Sequence, residues 1–235
     1  MSFTLYGRTE FSDIAFIGQK YNILVTMELL NCPKPPEPYR LVMARIPNSN
    51  STKFNPIPLT KHFPNRDVTG LSHKRIVEHH TVIAAISAGL GHNKWHLEHE
   101  TGGRPILFER GEKANSKISI SHMQCPEKAS YAVAMIADVD YNIGVDIVYT
   151  NDKRLERIAN RTMSDNEIEE GNLPEIWALK EAVFKANGPA IDFKNEIVVQ
   201  APVENSEVVV NCKGEEDKWL VHEVSCVTLA LGPIK

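Results

Sequence analysis

Glu181 sits between Lys180 and Lys185 in Trp177-Ala178-Leu179-Lys180-Glu181-Ala182-Val183-Phe184-Lys185, and Asp146 follows Gly144-Val145 earlier in the chain. A carboxylate flanked by two ammonium groups, with a second carboxylate nearby, is a kit for holding a divalent cation against a phosphate. The cation needs hard oxygen ligands. The phosphate is neutralised by the cation and the ammonium groups.

These groups need elements to position them. At roughly 100° per residue, Ile176, Ala178, Leu179, Ala182 and Val183 share one arc and make a core stripe. Trp177, Lys180, Glu181, Phe184 and Lys185 fill the other arc. Glu181 and Lys185 are neighbours there, and a plain solvated Glu–Lys pair is the bland alternative. Two aromatic rings on that arc point instead to a cleft or a second lobe. Pro174 and Glu175 suit the helix start, and Gly188-Pro189 its end. Asn142 to Val148 predicts a strand. Tyr141, Ile143, Val145 and Ile147 face one way; Asn142, Gly144, Asp146 and Val148 face the other. An Asp in such a run is costly unless paired or metal-bound; a strand-end Asp capping a loop is the alternative. Gly144 lets a ligand approach the backbone on the same face. Tyr131 to Ala137 also predicts a strand, and a turn over Asp138 to Asn142 would make the two a hairpin.

The Gly144-Val145-Asp146 strand and the Trp177-to-Lys185 helix, preceded by Gly103-Arg104-Pro105 and Ser119-Ile120-Ser121-His122, resemble the motif series of 4'-phosphopantetheinyl transferases of the surfactin-synthetase-activating type. The resemblance covers roughly residues 71 to 190. It implies an α+β fold of two similar lobes, each a small antiparallel sheet packed with helices. Residues 1–137 would form the coenzyme A side, and 138–235 would carry the metal-binding strand and catalytic helix. The implied reaction moves the phosphopantetheine arm of coenzyme A onto a serine of an apo acyl, peptidyl or aryl carrier protein and releases adenosine 3',5'-bisphosphate.

The resemblance also implies roles. Asp146 and Glu181 would hold Mg2+, which keeps several waters and needs few protein ligands. Glu181, directly or through water, would help deprotonate the serine. Lys185 would neutralise diphosphate charge. Lys180, Arg104 and His122 would contact coenzyme A phosphates, the last two near the ribose 3'-phosphate. Ser121, Lys74 and Arg75 complete the expected coenzyme A set. Two positions depart from the pattern. Val148 stands where many relatives carry a third acid, and Met123 where a small hydroxyl residue is common. They sustain an alternative, a catalytically silent module that binds coenzyme A or a carrier protein. Glu167 fits both the family's acidic helix start and an ordinary capping box with Ser164, and the capping role is favoured.

Composition narrows the field. The chain has 235 residues and a net charge of −4, which disfavours a nucleic-acid surface. No stretch is long and apolar enough for a membrane helix. Met1 to Asp13 has no basic region leading into an apolar core, and Cys32, Cys125, Cys212 and Cys226 form no Cys-x-x-Cys pair, so a cytoplasmic protein with free thiols is expected. A monomer is expected from the resemblance. Strands are predicted around Phe16 to Leu30 and over Tyr39 to Ile46, with loops over Cys32 to Pro38 and Asn48 to Pro64. A helix is predicted from Ser72 to Gly89–Gly91, and another over Asp152 to Arg161 with a basic side. Strands follow over Ile197–Val199, Val208–Val210, Trp219–Val224 and Val227–Leu231. His92, His96 and His99 have the spacing of helical metal ligands, but Trp95 to His99 alternates as a strand, which puts His96 and His99 on opposite faces and argues against zinc.

Overall fold

The computed structural model describes residues 27–47, 57–201, 203 and 206–235. The first half of the chain forms β1 (Glu28–Leu30), β2 (Tyr39–Ile46), α1 (Ile57–His62), α2 (His73–Leu90), β3 (Trp95–His99), β4 (Pro105–Glu109), β5 (Glu112–Lys113), β6 (Lys117–Gln124) and β7 (Ser130–Ala137). The second half forms β8 (Gly144–Tyr149), α3 (Arg154–Thr162), α4 (Asp165–Glu170), α5 (Leu173–Asn187), β9 (Ile197–Val199), β10 (Glu207–Cys212), β11 (Glu215–Val224) and β12 (Val227–Ile234). The architecture is α+β, with small antiparallel sheets packed by helices, as expected. One sheet runs β1-β2-β7-β6, a second β8-β12-β11-β10-β9, and a short third β3-β4-β5.

Each half packs one long helix on its sheet: α2 on β2 and β7, and α5 on β8 and β12. The predicted ends of these helices agree with their caps. Ser72 accepts from the Arg75 amide at the start of α2, and Gly91 closes it in the left-handed region. Proline in the first turn opens α5, and Gly188 closes it. A shared apolar core joins the halves. Met43, Tyr131, Val133 and Met135 from the first sheet pack with Val145, Ile147, Val227 and Leu229 from the second. Across the same boundary the Tyr39 hydroxyl donates to the Pro233 carbonyl at 2.7 Å.

Two expectations are corrected. The strands around Asp138 to Asn142 do not form a hairpin: β7 pairs with β2 and β6, whereas β8 pairs with β12. Both edges of β7 are taken, so the turn carries the chain from one sheet to the other. The stretch Asn48 to Pro64 is not all loop, because its second part forms α1. Leu59, His62 and Phe63 are buried there at one-turn spacing, and the His62 ring lies 4.1 Å from that of Trp95. Of the strands expected around Phe16 to Leu30, only β1 falls within the described residues; the remainder lies outside them. Among the described residues, no helix is long and apolar enough to cross a membrane.

Candidate active site

Strand β8 presents Asp146 because its alternation is enforced on both faces. Val145 and Ile147 enter the shared core, while Val148 joins the core beneath α5. Gly144 makes the close packing of α5 on β8 possible: a Cβ there would lie 1.8 Å from the Ala182 carbonyl oxygen. That approach brings the polar arc of α5 over Asp146. Lys185 Nζ donates to Asp146 Oδ1 at 2.7 Å, to the Val145 carbonyl at 3.1 Å and to the Ile120 carbonyl at 3.2 Å. Ser121 Oγ donates to the same Asp146 Oδ1 at 2.6 Å, and the Val145 amide donates to Ser119 Oγ at 3.0 Å. Three elements, β6, β8 and α5, are thus tied together at one carboxylate.

Glu181 lines the same cavity as Asp146. Burial raises its pKa above the ordinary glutamate value, and the nearby Asp146 charge adds to the rise; Lys185 opposes both. This cavity, of about 600 Å³, is walled by Ser121, Met123, Val148 and Trp177 and by the arginines of α3, including Arg157 and Arg161. A second cavity, of about 480 Å³, is lined by Arg66, His79, His99, Arg104, His122 and Lys185. His122 lines both. One cavity therefore offers carboxylates and cationic walls, and the other offers cations and imidazoles suited to phosphate. The Asp146–Lys185 ion pair links them, with Asp146 lining the first and Lys185 the second.

The donor set at the junction fits a hard divalent cation. Among the described residues, no donor reaches the Glu181 carboxylate or Asp146 Oδ2, so each keeps oxygen for a cation. No group of three or more His, Cys, Asp or Glu side chains among the described residues is arranged to hold a metal, so a cation held by this carboxylate pair would need water and substrate oxygens in its shell.

The structure does not bring all the expected residues together. Lys180 is far from solvent: its Nζ lies 3.0 Å from Glu167 Oε2 and donates to the Ile197 carbonyl at 2.6 Å and to those of Phe193 and Lys194. It lines neither cavity and does not stand as the expected coenzyme A contact. The helical wheel placed it on the outer arc correctly, but the chain over Phe193 to Ile197 covers that part of the arc. Glu167 forms the favoured capping box with Ser164 and also accepts from the Val199 amide at 2.8 Å. Lys74 and Arg75 turn to the buried Glu78, at 3.9 and 2.7 Å, and line neither cavity. Arg104 does line the second cavity, and it donates to the Ala186 carbonyl at 3.0 Å, at the C-terminal end of α5. Burial lowers the His122 pKa, against the pull of Glu78, whose carboxylate lies 3.8 Å away. The aromatic arc of α5 faces inward as expected: Trp177 and Phe184 pack on Phe193 and each lines one cavity. Sequence reasoning gave Arg66 and Glu78 no place near the site and weighed His79 only for zinc. Glu78 left a signal, an acid on the α2 face that also carries Val82 and Ala85.

The expected strand over Trp95 to His99 is present, with His96 stacked on Phe108 and His92 bonded to Glu109 at 3.0 Å. Residues 142–230 match the family model of the 4'-phosphopantetheinyl transferase superfamily. No curated protein matches the chain. The matched stretch runs from before Asp146 through Glu181 and Lys185 into β12, so the superfamily resemblance rests on β8, α5 and the sheet beneath them. Arg104, Ser121 and His122 lie before it. The match supports phosphopantetheine transfer in general.

Proposed function

We propose that this protein transfers the 4'-phosphopantetheine arm of coenzyme A to a serine of an apo carrier protein, in the manner of the surfactin-synthetase-activating type. The observation that carries the proposal is the convergence of Asp146, Glu181 and Lys185 between two cavities of complementary chemistry, within the stretch that matches the superfamily. We place the division into lobes after Ala137, with the first half holding coenzyme A. The protein acts as a cytoplasmic monomer in this proposal.

Coenzyme A takes the second cavity, where Arg104, His122 and Arg66 suit its phosphates. Its diphosphate reaches Lys185 and the Asp146–Glu181 pair. Asp146 and Glu181 are the residues that would hold Mg2+. When bound, that ion supplies electrophilic stabilisation of the diphosphate oxygens. The carrier serine enters from the first cavity, whose arginine-rich α3 wall suits an acidic partner. Glu181 takes the serine proton; its raised pKa suits it to hold one. The serine oxygen bonds to the pantetheine-side phosphorus, the bridging P–O bond breaks, and adenosine 3',5'-bisphosphate leaves. Lys185 offsets the charge that develops on the leaving phosphate.

The test is incubation with coenzyme A, Mg2+ and a panel of apo carriers, read by intact mass. A gain of about 340 Da, the mass of the arm, that vanishes with EDTA and in Glu181→Gln supports the proposal. Coenzyme A binding without any gain on any carrier would replace it with the silent binding module.

A further inference from the structure

Asp146 has two carboxylate oxygens in very different situations. Oδ1 accepts from both Ser121 Oγ and Lys185 Nζ, at 2.6 and 2.7 Å. No donor among the described residues reaches Oδ2, and Asp146 lines the first cavity beside Glu181. Ser121 is itself buried and sits on β6, whose Ser119 anchors the Val145 amide one residue before Asp146. The Ser119–Ser121 pair therefore fixes both the height of β8 and the rotation of the Asp146 carboxylate.

The consequence concerns which cation the site accepts. Mg2+ takes single oxygens at short distance in a strict octahedron, whereas Ca2+ readily takes a carboxylate through both oxygens at longer distance. An oxygen that already accepts two short hydrogen bonds, one from an ammonium, is a poor additional ligand. We infer that Ser121 is a positioning residue that, with Lys185, reserves Asp146 Oδ1 and so restricts Asp146 to one-oxygen ligation, biasing the site toward Mg2+ and against Ca2+. This inference rests on the proposed function of the site for its metal. It gives the Ser-x-Ser segment a role at the carboxylate rather than at a coenzyme A phosphate.

The experiment measures metal binding directly. Mn2+ is titrated into the full chain, with and without coenzyme A, and free Mn2+ is read by its paramagnetic resonance signal. Mg2+ and Ca2+ then compete it off, giving the ratio of their dissociation constants. Ser121→Ala is expected to shift that ratio toward Ca2+ by about fivefold or more. Ser121→Thr, which keeps the hydroxyl, is expected to restore the wild-type ratio. Ser119→Ala, which loses the bond to the Val145 amide but no donor to Asp146, is expected to leave it unchanged. Circular dichroism of each variant confirms the fold. A wild-type ratio in folded Ser121→Ala overturns the inference while leaving the proposed transfer untouched. A shift of equal size in Ser119→Ala also overturns it, since loosening of β8 would then suffice. Absence of Mn2+ binding by the wild type overturns the metal site and this inference together, and the carrier-labelling assay separately reports whether transfer occurs.

Discussion

Lys180 and Glu167 form an ion pair closed off from solvent, with Nζ 3.0 Å from Oε2 and side-chain exposures of 0% and 1%. The pair pins α5 to α4 and, through the Val199 amide on Glu167 Oε1, to β9. Since Glu181 is the next residue after Lys180, the pair also sets the height of the candidate catalytic helix. Burial lowers the Lys180 pKa against the opposing pull of Glu167. Removing one partner leaves a buried charge or a buried orphan, which costs far more than the pair itself contributes. Glu167→Ala is therefore expected to destabilise the protein by about 3–5 kcal/mol, read as a lower midpoint in urea. A companion Lys180→Met change in the Glu167→Ala background is expected to recover part of that loss. A single variant within about 0.5 kcal/mol of wild type would show that the ammonium finds enough compensation in its three carbonyls.

This pair marks the line between what the sequence displays and what it hides. The apolar stripe of α5, the capping box at Ser164 and both ends of α2 depend on residues within a turn or two of one another, so spacing reveals them. The covering of Lys180 depends on the chain over Phe193 to Ile197, and nothing near Lys180 encodes it. The same holds for Asp146. Its cost within an apolar strand was visible, and so was the need for a partner. That Ser121 supplies one hydrogen bond depends on how two sheets cross. The false hairpin has a similar origin: adjacent strands and a short turn are local facts, whereas the capture of both β7 edges by β2 and β6 is not.

Gly144 offers a test of how closely α5 must approach β8. A Cβ at that position would meet the Ala182 carbonyl oxygen at 1.8 Å and its carbon at 2.7 Å. Both are helix backbone and cannot rotate aside. Gly144→Ala must therefore push the helix away from the strand. A loss of at least about 3 kcal/mol is expected, together with displacement of Glu181 and Lys185 from Asp146. Thermal unfolding and carrier labelling on the residual folded fraction check both parts. Wild-type stability would mean that the helix can ride higher without cost.

Glu181 carries a pH signature. Its folded-state pKa is raised, chiefly by burial and next by Asp146. The folded protein therefore holds this proton more tightly than the unfolded chain does. Stability from this group is full below the ordinary glutamate value and declines as pH climbs through the interval up to the raised value. At neutral pH the ionised carboxylate is a net cost in the metal-free protein. Glu181→Gln is thus expected to abolish transfer yet unfold at a higher urea concentration than wild type at pH 7, with the advantage shrinking at pH 4. Urea titrations at the two pH values, in EDTA, make the comparison. A variant less stable than wild type at pH 7 would mean that attraction to Lys185 outweighs burial.

Val148 is two residues beyond Asp146 on the same face of β8 and lines the same cavity as Glu181. It is 7% exposed and rests on the core beneath α5. Two protein carboxylates hold a cation more weakly than three, because affinity follows ligand charge and number. Val148→Glu is expected to lower the Mg2+ concentration that half-saturates transfer by about tenfold. Labelling rates across a Mg2+ series give the half-saturation point directly. An unchanged Mg2+ dependence in a folded variant would mean that the new carboxylate lies against α3, where Arg154 and Arg157 could claim it instead of the metal.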